Sequence, residues 1–192
     1  MNRWITHGFV LLVGAGIGML ASQCLDRPAQ GLAQAPRAGG PEERVRQLKL
    51  QLPKPVKPTN TLVLAVRSGD LLFVSGMGPA RADGSAWTGR LGQNMEVKEG
   101  KEAARSIGLQ MLAVVREELG SLDNVARVVK TFGMVNAAPD FKQHPQVING
   151  FSDLMVEVFG EEHGKSARSA VGMSSLPGGI PVEIEAVFQI WK

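Results

Sequence analysis

Two charged residues near the C-terminus stand where charge is expensive. Arg168 interrupts the small, apolar run Ser166-Ala167-Arg168-Ser169-Ala170-Val171-Gly172. Glu183 interrupts Val182-Glu183-Ile184-Glu185-Ala186, with Leu176-Pro177 in between. A guanidinium within such a strand needs an anionic partner to offset its desolvation. That partner is either a fixed protein carboxylate or the carboxylate of an incoming small molecule. A nearby glutamate can orient a water and carry a proton. Glu185, two residues beyond Glu183, points the same way along a strand, so spacing alone does not choose between them.

Composition removes other chemistries. The 192-residue chain has no tyrosine and one cysteine, Cys24, so it forms no intrachain disulfide and no thiolate metal cluster. His7, His144 and His163 lack ligand spacing, so no metal is expected. Neither histidine after residue 58 has the Ser and Asp partners of a nucleophilic triad. Residues 1–58 hold 8 Lys and Arg against 3 Asp and Glu; residues 59–192 hold 13 against 15. The positive excess sits in the N-terminal part, and a mildly acidic domain is a poor partner for nucleic acid.

Three segments follow from the pattern. Residues 1–24 pair an early arginine with the uncharged run Phe9 to Ser22. With its flanks this run reaches about 18 residues, near the lower limit of a membrane span. It reads as a signal peptide or membrane anchor, giving an exported (periplasmic) or membrane-anchored protein. Leu20-Ala21-Ser22-Gln23-Cys24 is a lipobox one residue too long, which argues against lipidation. Arg27, Arg37, Arg44 and Arg46 follow the run and favour a cytoplasmic C-terminal side if it is retained. Residues 25–58 are rich in Pro, Gly, Ala and Gln and read as a linker. A short helix is expected within 42–52, on Val45, Leu48 and Leu52.

Residues 59–192 read as the folded domain. Leu62 to Val66 and Leu71 to Ser75 form a hairpin around Arg67-Ser68-Gly69-Asp70. Val97 to Leu119 is helical, with Gly120 as its stop. Val125 to Val135 is a strand. Pro145 to Phe159 is a second helix closed by Gly160. Arg168 to Ser174 and Val182 to Ile190 are the last strands. The order β-β-α-β-α-β-β predicts an α+β domain, a mostly antiparallel sheet with two helices on one face. No third helix is left to cover the other face, which predicts self-association.

These residues resemble the YjgF-like, reactive-intermediate-deaminase (RidA) family, whose members also carry the name endoribonuclease L-PSP. The resemblance rests on Leu71-Leu72-Phe73-Val74-Ser75-Gly76, Gly120-Ser121-Leu122-Asp123-Asn124-Val125, Val135-Asn136 through Pro139-Asp140-Phe141, Val147-Ile148-Asn149-Gly150, and the Arg168-to-Ala186 series. It implies a chorismate-mutase-like fold and a homotrimer with ligand sites between subunits. It also implies cofactor-free hydrolysis of enamines and imines such as 2-aminoacrylate to 2-keto acids and ammonia. The same resemblance makes Arg168 the substrate-binding arginine and Glu183 the water-orienting glutamate. It aligns Asn149 with a position near that family's cleft. Backbone groups at Ser75 and Gly76 are expected to line the substrate pocket, since glycine permits close approach, and Ser169 to offer it a hydroxyl. A non-catalytic module holding a small carboxylate is the alternative. The chain departs from many active members in lacking their tyrosine, in Met77 after Ser-Gly, and in Ala170 after Arg-Ser.

Overall fold

The computed structural model describes residues 39–56, 58, 61–81, 83 and 85–191. Residues 1–24, with the expected leader or anchor, lie outside them. Among the described residues no helix is long and apolar enough to cross a membrane.

The elements are α1 (Pro41–Gln47), β1 (Ala65–Ser68), β2 (Leu71–Met77), α2 (Val97–Leu119), β3 (Val125–Asn136), α3 (His144–Gly164), β4 (Ala167–Met173) and β5 (Val182–Ile190). The sheet order is β1-β2-β5-β3-β4. All neighbours are antiparallel except β3 and β4, which α3 joins as a parallel pair.

Helix α2 starts and stops where its sequence dictates. Glu96 and Glu99 form a reciprocal capping box, and Gly120 leaves the helix at φ 75°. Helix α3 departs from expectation. Gly160 does break the helix, at φ 82°, but one further turn follows it to Gly164. The hairpin also shifts. Ser68 pairs with Leu71, which makes Gly69-Asp70 a two-residue turn and moves β1 toward the turn.

Strand alternation sorts the sheet into two faces. Val182, Ile184, Ala186, Phe188 and Ile190 are buried beneath α2 and α3, together with Leu72, Val74, Val128 and Val135. The helices pack so closely that a Cβ on Gly150 would overlap the carbonyl of Lys101. The other face is bare: Val66 is 52% exposed and Phe73 45%. With Lys130, Phe132, Glu185 and Val187 they line an open depression of about 240 Å³.

The segment expected to link the N-terminus to the domain contains a docked element, α1. The Glu42 carboxylate accepts from Arg116 Nε at 3.0 Å and Nη2 at 2.7 Å, and from the Leu122 backbone at 2.9 Å. The Glu42 backbone N–H donates to Asp123 Oδ1, and Val45 is buried. Removing the carboxylate leaves a half-buried arginine fork and a backbone donor without their acceptor. Glu42→Ala is therefore expected to cost about 2–3 kcal/mol. Chemical denaturation checks this as a lower midpoint at unchanged slope.

Candidate functional site

Arg168 is the second residue of β4, an edge strand, and pairs with Thr131 of β3. Thr131 pairs in turn with Ala186 on the helix-covered face, so Arg168 emerges on that face, beside α3. Its Nη1 donates to Asn149 Oδ1 at 2.8 Å and to Ser152 Oγ at 3.0 Å. Both acceptors are neutral and one turn apart on α3. Among the described residues no carboxylate lies within salt-bridge distance of Arg168, so the fixed protein carboxylate weighed from the sequence finds no candidate there. The guanidinium stays exposed, with Nε and Nη2 making no hydrogen bond to the described residues.

Glu183 lies on the opposite, bare face. It pairs with Met134 of β3, one residue from the buried Ile184. Its carboxylate packs directly over Gly76 of β2, where any Cβ would collide with it. A bulge makes this contact. Val74 pairs with Ala186 and Met77 with Ile184, so Ser75 and Gly76 together face the single residue Glu185. Such an extra residue re-aims the strand beside it. The Ser75 backbone donates to Leu64 O at 3.0 Å and its hydroxyl to Val63 O at 2.7 Å, which ties the bulge to the chain entering β1. Glu185 faces the same side, within the depression lined by Phe73 and Lys130. Contact with Gly76 is thus what separates the two glutamates.

The expected site residues fall into two groups. Asn149 joins Arg168. Ser75 and Gly76 join Glu183. Ser169, expected beside Arg168 as a hydroxyl donor, is on the other face: it pairs with Phe132, and its Oγ accepts from Lys130 Nζ at 3.2 Å. Strand alternation separates it from its neighbour. Ser152 was not singled out by sequence; its only signal is the three-residue spacing from Asn149 along one helix face.

The two groups do not meet within one chain. Arg168 and Glu183 are two strands apart in the sheet and three residues out of register. That is about 10 Å across the strands and about 10 Å along them, with the side chains on opposite faces. Among the described residues no three His, Cys, Asp or Glu side chains cluster to hold a metal ion.

Comparison with known proteins agrees with this architecture. Residues 42–177 match the family model described as "YjgF/chorismate mutase-like, putative endoribonuclease". The match begins at α1, inside the segment expected to be a linker. It includes Ser75, Gly76, Asn149, Ser152 and Arg168 and stops before Glu183. Protein TCP17 of Trypanosoma cruzi is 42% identical over 146 residues, 76% of this chain and 91% of its own. The structure of Atu1372 from Agrobacterium tumefaciens is 37% identical with a TM-score of 0.71, covering 80% of this chain and 95% of that one. A Shewanella oneidensis structure under the same endoribonuclease label is 26% identical with a TM-score of 0.73, covering 79% and 99%. The chain belongs to the YjgF/RidA family, and its five-stranded sheet and helices form that family's chorismate-mutase-like fold.

Proposed function

We propose that this protein hydrolyses amino-acid-derived enamines and imines to 2-keto acids and ammonia, at sites formed between copies of the chain in a homotrimer. One observation carries the reading: an exposed arginine held by two neutral acceptors, with a donor edge free and no carboxylate beside it among the described residues. Such an edge fits the carboxylate of a 2-imino acid with two hydrogen bonds.

The chemistry needs little else. An enamine such as 2-aminoacrylate takes a proton at its terminal carbon to become the imine. Water adds to the C=N carbon and forms a carbinolamine. A proton passes from the attacking water to nitrogen, ammonia leaves, and the carbonyl forms. No redox step occurs and no cofactor is required. Arg168 fixes the carboxylate and so the C=N carbon beside it. Glu183 from a neighbouring copy orients the water and relays the proton. The bare apolar face supplies a surface for that neighbour. The expected export or membrane attachment through residues 1–24 belongs to this proposal too, and fractionation of the full-length chain tests it.

The test is direct. A serine dehydratase generates 2-aminoacrylate in the presence of the purified chain, and keto-acid release is compared with spontaneous hydrolysis. Acceleration supports the proposal. Unchanged release with pyruvate still bound favours a carboxylate-binding module instead.

Gly76→Ala separates the two halves of the site. The added methyl meets the end of a flexible side chain, so it displaces the Glu183 carboxylate rather than the backbone. Turnover is expected to fall about a hundredfold, because misplacement by an ångström is enough for that loss. Pyruvate affinity, set by Arg168, is expected to stay the same when both are measured on one preparation.

A further inference from the structure

We infer that Ser152 is a positioning residue, which with Asn149 turns Arg168 so that a ligand carboxylate docks side-on, against Nε and Nη2. The inference rests on the proposed role of Arg168 and adds which edge of the guanidinium the ligand meets and what selects it.

A guanidinium has five N–H donors: one on Nε and two on each Nη. Nη1 makes two hydrogen bonds, to Asn149 Oδ1 and to Ser152 Oγ. An arginine only donates, so the oxygen of Asn149 faces it and Ser152 accepts. Two acceptors match the two Nη1 hydrogens; with one taken by each, the end-on fork, Nη1 with Nη2, lacks one prong. The side-on fork, Nε with Nη2, keeps both. A carboxylate needs two parallel donors for bidentate binding, and only the side-on edge offers them.

Ser152 does more here than satisfy a surface polar group. Asn149 alone would leave one Nη1 hydrogen free and the guanidinium plane able to rotate about its single anchor. Two acceptors three residues apart on a rigid helix fix both the plane and its direction. Each ordered rotamer spared on binding strengthens the ligand. Ser152 sits in the interior of α3 and is partly buried, so Ser152→Ala is compatible with the helix.

The experiment is isothermal titration of the full-length protein with pyruvate, joined to ¹H–¹⁵N spectra of arginine Nε–H groups. Ser152→Ala is expected to weaken pyruvate about tenfold, the scale of one hydrogen bond to a charged group. Ser152→Thr keeps the hydroxyl and is expected to restore affinity. In an Arg168→Ala background, Ser152→Ala is expected to have no further effect, because the serine acts through the arginine. The Nε–H signal that disappears in Arg168→Lys is expected to move when wild type is saturated with pyruvate. An unmoved signal, or additive effects in the double variant, overturns the inference. Pyruvate binding lost in Arg168→Ala but intact in Ser152→Ala overturns it while sparing the proposed function. Pyruvate binding indifferent to Arg168→Ala removes the proposed function itself.

Discussion

Arg168→Ala is expected to abolish acceleration of keto-acid release while leaving the fold intact. The residue is exposed, and its hydrogen bonds go to neutral acceptors that water can replace. Its removal leaves no buried charge unpaired, so the thermal midpoint should move by only a few degrees. The ligand loses a bidentate, charge-assisted contact. Truncating one side of such a contact costs about 2–5 kcal/mol, about thirtyfold to several thousandfold in affinity. Arg168→Lys keeps the charge but has no fork, so it should recover only part of the loss. Parallel titrations with pyruvate and coupled keto-acid assays give both numbers. Full activity in either variant would remove Arg168 from the mechanism.

The parts of this fold that announce themselves in sequence are those with local causes. The ends of α2 follow from a capping box and a glycine, both within a few residues of the boundary. Strand β5 declares its faces because the buried Val182, Ile184, Ala186 and Phe188 alternate with less buried positions, three of them Glu or Gln. Arg168 stands out as the one charge in a run of small residues, although on the exposed edge strand its guanidinium escapes the desolvation cost that such a run suggests. Strand β4 gives no such alternation: Ala167, Ser169, Ala170 and Gly172 are all small, so either face was open to Arg168 and Ser169. Their assignment comes from parallel pairing with β3, which the α3 crossover sets. Ser152 carries no local signal for the same reason, since its contact with β4 exists only after that crossover.

The docking of α1 was hidden differently. Glu42 meets Arg116 and Leu122, 74 and 80 residues away, and no local pattern marks such a partner. Pro and Gly around residues 36–41 read in sequence as a break before the helix. They carry no information about whether the helix after the break returns to the domain. The match to the family from residue 42 onward agrees with the packed position of α1.

Mixing two inactive variants is expected to restore activity, the strongest test of where the site lies. Arg168 and Glu183 point to opposite faces of one sheet and are out of register. One chain therefore cannot hold an imino acid on Arg168 while its own Glu183 directs water onto the same carbon. In the proposed cyclic trimer each site would take its arginine from one copy and its glutamate from the next. Arg168→Ala and Glu183→Gln alone each inactivate every such site. After unfolding and refolding at equal amounts, three quarters of the trimers contain both variants. Each of these has one interface where an intact arginine meets an intact glutamate. Recovered keto-acid release should thus approach about a quarter of the wild-type rate per chain. Mixing without refolding should recover none until subunits exchange. A refolded mixture that stays inactive, while refolded wild type regains its rate, would place both groups in one chain's site. Such a result requires a rearrangement of β4 that brings Arg168 to the bare face.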